Sequence, residues 1–220
     1  MVSLFLMASK KRSIVYIDGF NFYYALLRSE QYRAFKWLDF ELLFRRIRND
    51  DEVVIVRYFT AYWPDESGER HRIYTRALST RPLIRICEGQ FKRKSVRCDV
   101  TGCAHAGRRY FDAFEEKETD VNIALAMLDD AYQCQCDRLI LVTADTDLVP
   151  AVKMVRSRHP KLDLQLYVPG PEERFRSASE LRQACHTARI FPAQLLGRCQ
   201  LPDRVETGGG DFVQKPQQWQ

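Results

Sequence analysis

The order of apolar β-type runs and helical segments in this chain predicts an α/β fold. The expected form is a three-layer α/β/α sandwich around a mostly parallel central sheet of about five strands. Three observations carry this. Residues 13–17, 52–62, 138–143 and 162–168 are short runs rich in Val, Ile, Leu and Tyr. Segments with helical spacing of apolar residues lie between them. Two of the runs end directly at an acid, Asp18 and Asp145, and parallel strands converge with their C-terminal ends on one ligand-binding edge.

Each element follows in order. Residues 13–17 form a strand that turns at Asp18-Gly19, and 22–28 a short helix. Phe40, Leu43, Phe44 and Ile47 fall at i, i+3, i+4 and i+7, one face of an amphipathic helix. Residues 52–62 make a long strand closed by Trp63-Pro64, and 66–79 a charged surface helix. Residues 83–94 alternate loosely, as a bent strand would, and run into an irregular stretch over 95–109. From Asp120 a helix begins, with Thr119 placed to cap it and Val121, Ala124, Leu125, Leu128, Ala131 and Tyr132 along one face. Residues 138–143 read as a buried strand. Leu148, Ala151, Val152 and Val155 mark the next helix, with Pro150 in its tolerant first turn. A strand over 162–168 ends at Pro169-Gly170-Pro171; 177–188 should be helical and 189–191 a last short strand. The expected core includes Val15, Ile17, Val54, Val56, Leu125, Leu128, Ile140, Val142, Val152 and Leu166. The implied organisation is a flexible segment over 1–12, a domain over 13–202 with an insertion at about 92–109, and a disordered tail over 203–220 containing three successive glycines and a Gln-rich end.

At 220 residues the chain can bury one full core. A net charge of +5 suits a polyanionic partner without requiring one. No run approaches the ~20 apolar residues that span a bilayer, and the basic residues follow the N-terminal apolar run, the reverse of a signal peptide. A cytoplasmic location without membrane contact is the expectation. In that setting the seven cysteines read as reduced thiols.

The acids carry the chemistry. Asp18 and Asp145 follow strands, Asp147 lies two residues further on, and Asp120 opens a helix. Each has an ordinary alternative use, since Asp caps helices and is stabilised at a helix N-terminus. Capping, however, does not require acids from three boundaries to meet on one edge. Carboxylates gathered there repel one another unless a cation offsets the charge. A divalent metal and metal-assisted phosphodiester hydrolysis follow as the simplest reading. Asp145 is expected to face the crevice while Asp147 caps the next helix, and Asn21 to orient Asp18 or a water, or to sit on an exposed face. No P-loop, dinucleotide fingerprint or serine nucleophile elbow occurs. Phe20 occupies the position where a haloacid-dehalogenase-type phosphatase needs its second acid.

Tyr16-Ile-Asp-Gly-Phe-Asn21, Glu116-Lys-Glu-Thr-Asp-Val121 and Val142-Thr-Ala-Asp-Thr-Asp-Leu-Val-Pro150 arrive in the order found in NYN domains. The chain resembles these members of the PIN-like ribonuclease superfamily over residues 13–191, and most closely the bacterial LabA-like branch. The resemblance implies an RNA-hydrolysing enzyme with Mg²⁺ or Mn²⁺ held by Asp18, Asp120, Asp145 and Asp147, accompanied by Asn21. It admits a catalytically inactive binding module as the alternative, and a homodimer or a regulatory protein partner. The family usually has Gly where Glu118 stands, and Ser where this chain has Thr143.

Two further clusters lie in the insertion. Cys98, Cys103 and His105 offer three of the four ligands zinc needs, so free thiols are preferred over a zinc site. Lys92, Arg93, Lys94, Arg97, Arg108 and Arg109, interleaved with Phe91, Tyr110 and Phe111, form either a clamp for single-stranded RNA or a solvated hairpin.

Overall fold

A computed structural model of the chain describes residues 9–100 and 110–219. Its centre is a six-stranded, wholly parallel sheet: β1 (Lys11–Asp18), β2 (Asp51–Thr60), β3 (Ile84–Glu88), β6 (Arg138–Val142), β7 (Asp163–Val168) and β8 (Thr187–Ile190), in the order β3-β2-β1-β6-β7-β8. The sheet has one strand more than the expected five and agrees with the expected sandwich. β1 and β6 sit at its middle, and every residue from Ser13 to Asp18 and from Arg138 to Val142 is buried, as near-continuous apolar strands require. Side chains of β1 alternate between the layers. Val15 and Ile17 join one core with Phe22, Trp37, Phe40 and Phe44; Ile14 and Tyr16 join the other with Ile123, Met127 and Val152. Helices α1 (Gly19–Phe22), α2 (Phe40–Ile47) and α3 (Glu66–Leu78) precede the insertion; α4 (Thr119–Tyr132), α5 (Val149–Arg158), α6 (Glu172–Ser177) and α7 (Ser179–Ala184) follow it.

The run over 83–94 is two strands rather than one bent strand. β3 ends at Glu88, and β4 (Gln90–Arg97) leaves the sheet to pair antiparallel with β5 (Tyr110–Lys117). Gly89 makes the break possible: a Cβ there would lie 2.7 Å from the Lys117 carbonyl oxygen and 2.9 Å from Thr119 Oγ1.

Helix α4 is rotated relative to the expected face. Ile123, Met127, Asp130 and Ala131 point inward, while Leu125 is 59% exposed and Val121 and Tyr132 are also exposed. Apolar residues surround this helix, so their spacing cannot choose a face. A polar anchor chooses it: Asp130 accepts from the Tyr16 hydroxyl at 2.6 Å and from Arg57 Nε at 2.8 Å. A buried carboxylate without these partners would be costly, so the rotation is strongly fixed. Leu125 therefore leaves the expected core, and Val54 and Leu128 are only partly buried at its edge. The residue preceding the helix is Glu118, at φ 79°, rather than a capping Thr119. This left-handed position costs a side-chain-bearing residue about 1 kcal/mol, which gives a physical reason for the glycine usual there. Glu118→Gly should leave the melting temperature unchanged or slightly higher, whereas Glu118→Val should lower it, as calorimetry can check.

The tail is also a correction. Residues 203–219 are ordered as a hairpin, β9 (Arg204–Gly208) with β10 (Asp211–Gln214), followed by a 3₁₀ turn at Gln217–Trp219. Gly208, Gly209 and Gly210 all have positive φ and build its turn. Val205 and Val213 enter the core, and the Trp219 ring lies 6.2 Å from Trp37 and 6.0 Å from Tyr74. Two buried valines and a packed indole are worth several kcal/mol at ~1.5–3 kcal/mol per large apolar side chain. Truncation after Pro202 should lower the urea midpoint accordingly; an unchanged midpoint would show that the hairpin adds nothing. At the other terminus, β1 already begins at Lys11, inside the expected flexible segment, whose residues 1–8 lie outside the described ones.

Candidate metal centre

The sheet order reverses at β1 and β6, so the crevice beyond their C-terminal ends is the topological switch point. Asp18 is the last residue of β1, Asp145 follows β6 by three residues, and Asp120 is the second residue of α4. One carboxylate oxygen from each lies within 4.8 Å of the other two. Asp18 is buried and the other two are half-buried.

A chain of hydrogen bonds stitches the first and third motifs together. Asp18 Oδ1 accepts from the Asn21 backbone N–H at 2.9 Å, and Oδ2 accepts from Thr143 Oγ1 at 2.9 Å. Thr143 Oγ1 accepts from the Asp145 N–H at 3.0 Å. Asn21 Oδ1 accepts from the Ala144 N–H at 3.0 Å. Asn21 thus holds the β6 loop against β1, and its amide oxygen is used there. The threonine that replaces the usual serine keeps the hydroxyl that this chain of bonds needs.

Asp145 faces the crevice as expected, but it also takes the capping role expected of Asp147. Asp145 is the cap, accepting from the Asp147 N–H at 2.9 Å with Oδ1, while Asp147 is exposed in the 3₁₀ turn Thr146–Leu148. Asp147 stands outside the group of three, although its charge still acts on Asp120. The acid that spacing did not single out is Glu116, near the end of β5. It accepts from the Thr119 N–H at 3.2 Å, and its charge falls on both Asp18 and Asp120. It stands within the second motif, but only the return of the β4–β5 hairpin to the crevice distinguishes it from Glu118.

The electrostatics at the two ends of the sheet are opposite. At the N-terminal ends Asp51 is bonded to Arg48 and Arg138, and Asp163 to Arg138, which holds both acids below the usual carboxylate range. At the C-terminal ends the charges acting on the acids are all negative. Burial first, then Asp145 and Glu116, push Asp18 up to about 6 against the lowering effect of its hydrogen bonds. Burial, Asp145 and Asp18 push Asp120 up to about 6. Three hard oxygen donors close together suit a divalent metal ion, with waters completing the shell.

The hairpin roots beside this pocket. The Phe91 ring meets Phe20 edge-on at 5.5 Å and stacks on Trp63 at 4.3 Å. Its cations are largely balanced internally. Lys92 pairs with Glu118 at 3.8 Å, Lys94 with Glu115 at 3.4 Å and Arg97 with Asp99 at 3.6 Å, while Arg93 pairs with Asp112. Tyr110 and Phe111 are exposed. Arg108, Arg109, Cys103 and His105 lie outside the described residues, and Cys98 is a half-buried free thiol.

Comparison with known proteins adds three findings. A family model described as the NYN domain matches residues 12–191, without singling out the LabA-like branch. The chain is 29% identical to a protein of Pseudomonas putida (strain DSM 28022 / S16) named as a 6-hydroxy-3-succinoylpyridine 3-monooxygenase, across 94% of this chain and 75% of that one. A crystal structure of a protein of unknown function from Vibrio parahaemolyticus RIMD 2210633 shares the fold with a TM-score of 0.52, at 16% identity, covering 83% of this chain and 94% of that chain.

Proposed function

The chain belongs to the NYN domain family of the PIN-like superfamily, and on that footing we propose that it is a metal-dependent endoribonuclease. The observation that carries the reading is the meeting of Asp18, Asp120 and Asp145 within 4.8 Å at the switch point. The three carboxylates would hold Mg²⁺ or Mn²⁺. Such an ion supplies Lewis acidity, drawing charge from a scissile phosphate and making a nearby water acidic enough to attack at neutral pH. Asp18, Asp120 and Asp145 fix the site, with Asp18 clamped from two sides so that it cannot swing away. Asp147, exposed and with its charge acting on Asp120, would accept a hydrogen bond from the attacking water. Hydrolysis joins the water oxygen to phosphorus and breaks one P–O ester bond, the departing oxygen leaving protonated. Lys92, Arg93, Lys94 and Arg97 would exchange their surface carboxylate partners for RNA phosphates at little cost, since exposed pairs are worth under ~1 kcal/mol. The test is cleavage of mixed single-stranded RNA with Mn²⁺ and with chelator, by wild type and by Asp145→Asn. Equal cutting in chelator would overturn the proposal.

A second reading follows the name of the Pseudomonas putida relative: hydroxylation of a pyridine ring bearing an acid. The observation favouring it is an aromatic-lined cavity that begins at Gly19, next to Asp18. Oxygen and reductant consumption dependent on 6-hydroxy-3-succinoylpyridine would support it, and none would set it aside.

A further inference from the structure

Beside the acid cluster lies a cavity of about 460 Å³, within the range that holds small ligands. Its walls come from α1 and the turn after it, the end of β2, α3 and the C-terminal Trp219. Phe20, Tyr23, Tyr24 and Trp63 present ring faces or edges, and Tyr24 is 48% exposed at the rim. The interior carries a small polar patch: His71 Nε2 lies 3.3 Å from Thr60 Oγ1 and 3.5 Å from the Tyr58 hydroxyl. Burial pushes the His71 imidazole down to about 4, so it is neutral near pH 7 and offers one donor and one acceptor. The cations on the wall are Arg28, Lys36 and Arg70. Arg28 lies over the Tyr24 ring at 5.6 Å and Lys36 over Tyr23 at 5.5 Å, and none of the three has an ion pair among the described residues.

We propose that this cavity receives one unstacked nucleotide of a single-stranded RNA, its base against Tyr23 and Tyr24 and its phosphate against Arg28 and Lys36. The inference deepens the ribonuclease reading and rests on it. Three features favour a nucleotide of a strand over a free small acid. The cavity adjoins the acids through one residue: the Cβ that Gly19 lacks would lie 2.9 Å from the Tyr58 hydroxyl, so the floor of the cavity and the backbone beside Asp18 are in contact. A strand with one phosphate at the acids would then have a neighbouring nucleotide within reach of this wall. The aromatic surface also continues outward through Trp63 to Phe91 and the basic hairpin, rather than closing around a single ring. Aromatic platforms flanked by cations are how proteins hold single strands, and a neutral imidazole with a hydroxyl can meet a base edge without selecting strongly for sequence. This division would let the acids cut while the cavity sets the position of the cut.

The test uses a short single-stranded oligoribonucleotide with 2-aminopurine placed at each position in turn. It is bound to the full chain carrying Asp18→Asn and Asp145→Asn, which blocks cleavage and removes two repelling charges. One position should be quenched by stacking. Adding Tyr24→Ala should abolish that quenching and weaken binding about tenfold. Adding Arg28→Ala with Lys36→Ala should weaken it at least tenfold and reduce the salt slope by about 1–2. No position-specific quenching, or quenching and affinity unchanged by these substitutions, overturns the inference. Displacement of no RNA by a hydroxypyridine carboxylate that itself fills the cavity overturns it as well. Metal-dependent cleavage by wild type alongside unchanged affinity in the cavity variants would leave the ribonuclease reading standing without the cavity. Cavity-dependent RNA binding with no cleavage would do the reverse.

Discussion

Asp18→Asn is expected to lower Mn²⁺-dependent cleavage of single-stranded RNA by about 10³-fold, and Asp145→Asn by a similar factor. Each substitution keeps shape and volume but removes an anionic ligand from a group of three. A metal's charge stabilisation of the transition state is worth several kcal/mol, and each ~1.4 kcal/mol is tenfold in rate. The fold should survive both changes. An asparagine oxygen at position 18 can still accept from the Asn21 N–H, and the Thr143 hydroxyl can turn to accept from the new amide. Asp147→Asn should cost less than about tenfold, because that side chain is exposed and outside the group. Asn21→Ala should fall between, about 10–100-fold, the usual cost of losing a residue that orients a ligand loop. Initial rates on a labelled oligoribonucleotide, with and without chelator, give this ranking directly. If Asp147→Asn proves as damaging as Asp18→Asn, the exposed acid rather than the group of three is the centre.

What could be read from the sequence was whatever depends on period and position. Strands buried on both faces announce themselves as apolar runs, and acids at their ends fall on one edge because parallel strands must end there. Asp18 and Asp145 were legible for that reason, and Asp120 from its place at the start of a helical segment within the second motif. The rotation of α4 was not, because its apolar residues point in every direction and only the Asp130 bonds to Tyr16 and Arg57 decide among them. Those are contacts across 73 and 114 residues. The terminal hairpin escaped for another reason. It is mostly polar and glycine-rich, and just two valines and one tryptophan carry it into the core. Glu116 could not be told from its neighbour until the hairpin folded it back toward the crevice. The cavity gave no pattern at all, since its walls come from four separate stretches of chain.

The same cluster should cost the metal-free protein stability at neutral pH, and metal should restore it. Asp18 has a folded-state pKa of about 6, against 3.8 for the unfolded chain. A raised carboxyl binds its proton more tightly when folded, so its ionisation disfavours folding. The cost is fully present above about pH 6 and vanishes as pH falls toward 4. Two pH units correspond to roughly 3 kcal/mol for so buried a group. Asp120 adds a contribution of the same sign, reduced by its exposure to solvent. The arginine-paired acids at the other end of the sheet act oppositely. Asp51 and Asp163 have lowered values, so their stabilisation is present above pH 4 and is lost on further acidification. The buried His71, held down to about 4 against 6.5 for the unfolded chain, likewise loses stability as pH falls below 6.5, so the Asp18 contribution is read from the difference between wild type and Asp18→Asn. Asp18→Asn should therefore raise the metal-free melting temperature at pH 8 and flatten the change between pH 8 and 5. Millimolar Mn²⁺ should raise the wild-type melting temperature at pH 8, a gain in unfolding free energy of about 2.7 kcal/mol at a hundredfold excess over Kd, and should do much less for the variant. A variant less stable than wild type at pH 8, with Mn²⁺ moving neither, would mean that the three carboxylates neither repel one another nor bind an ion.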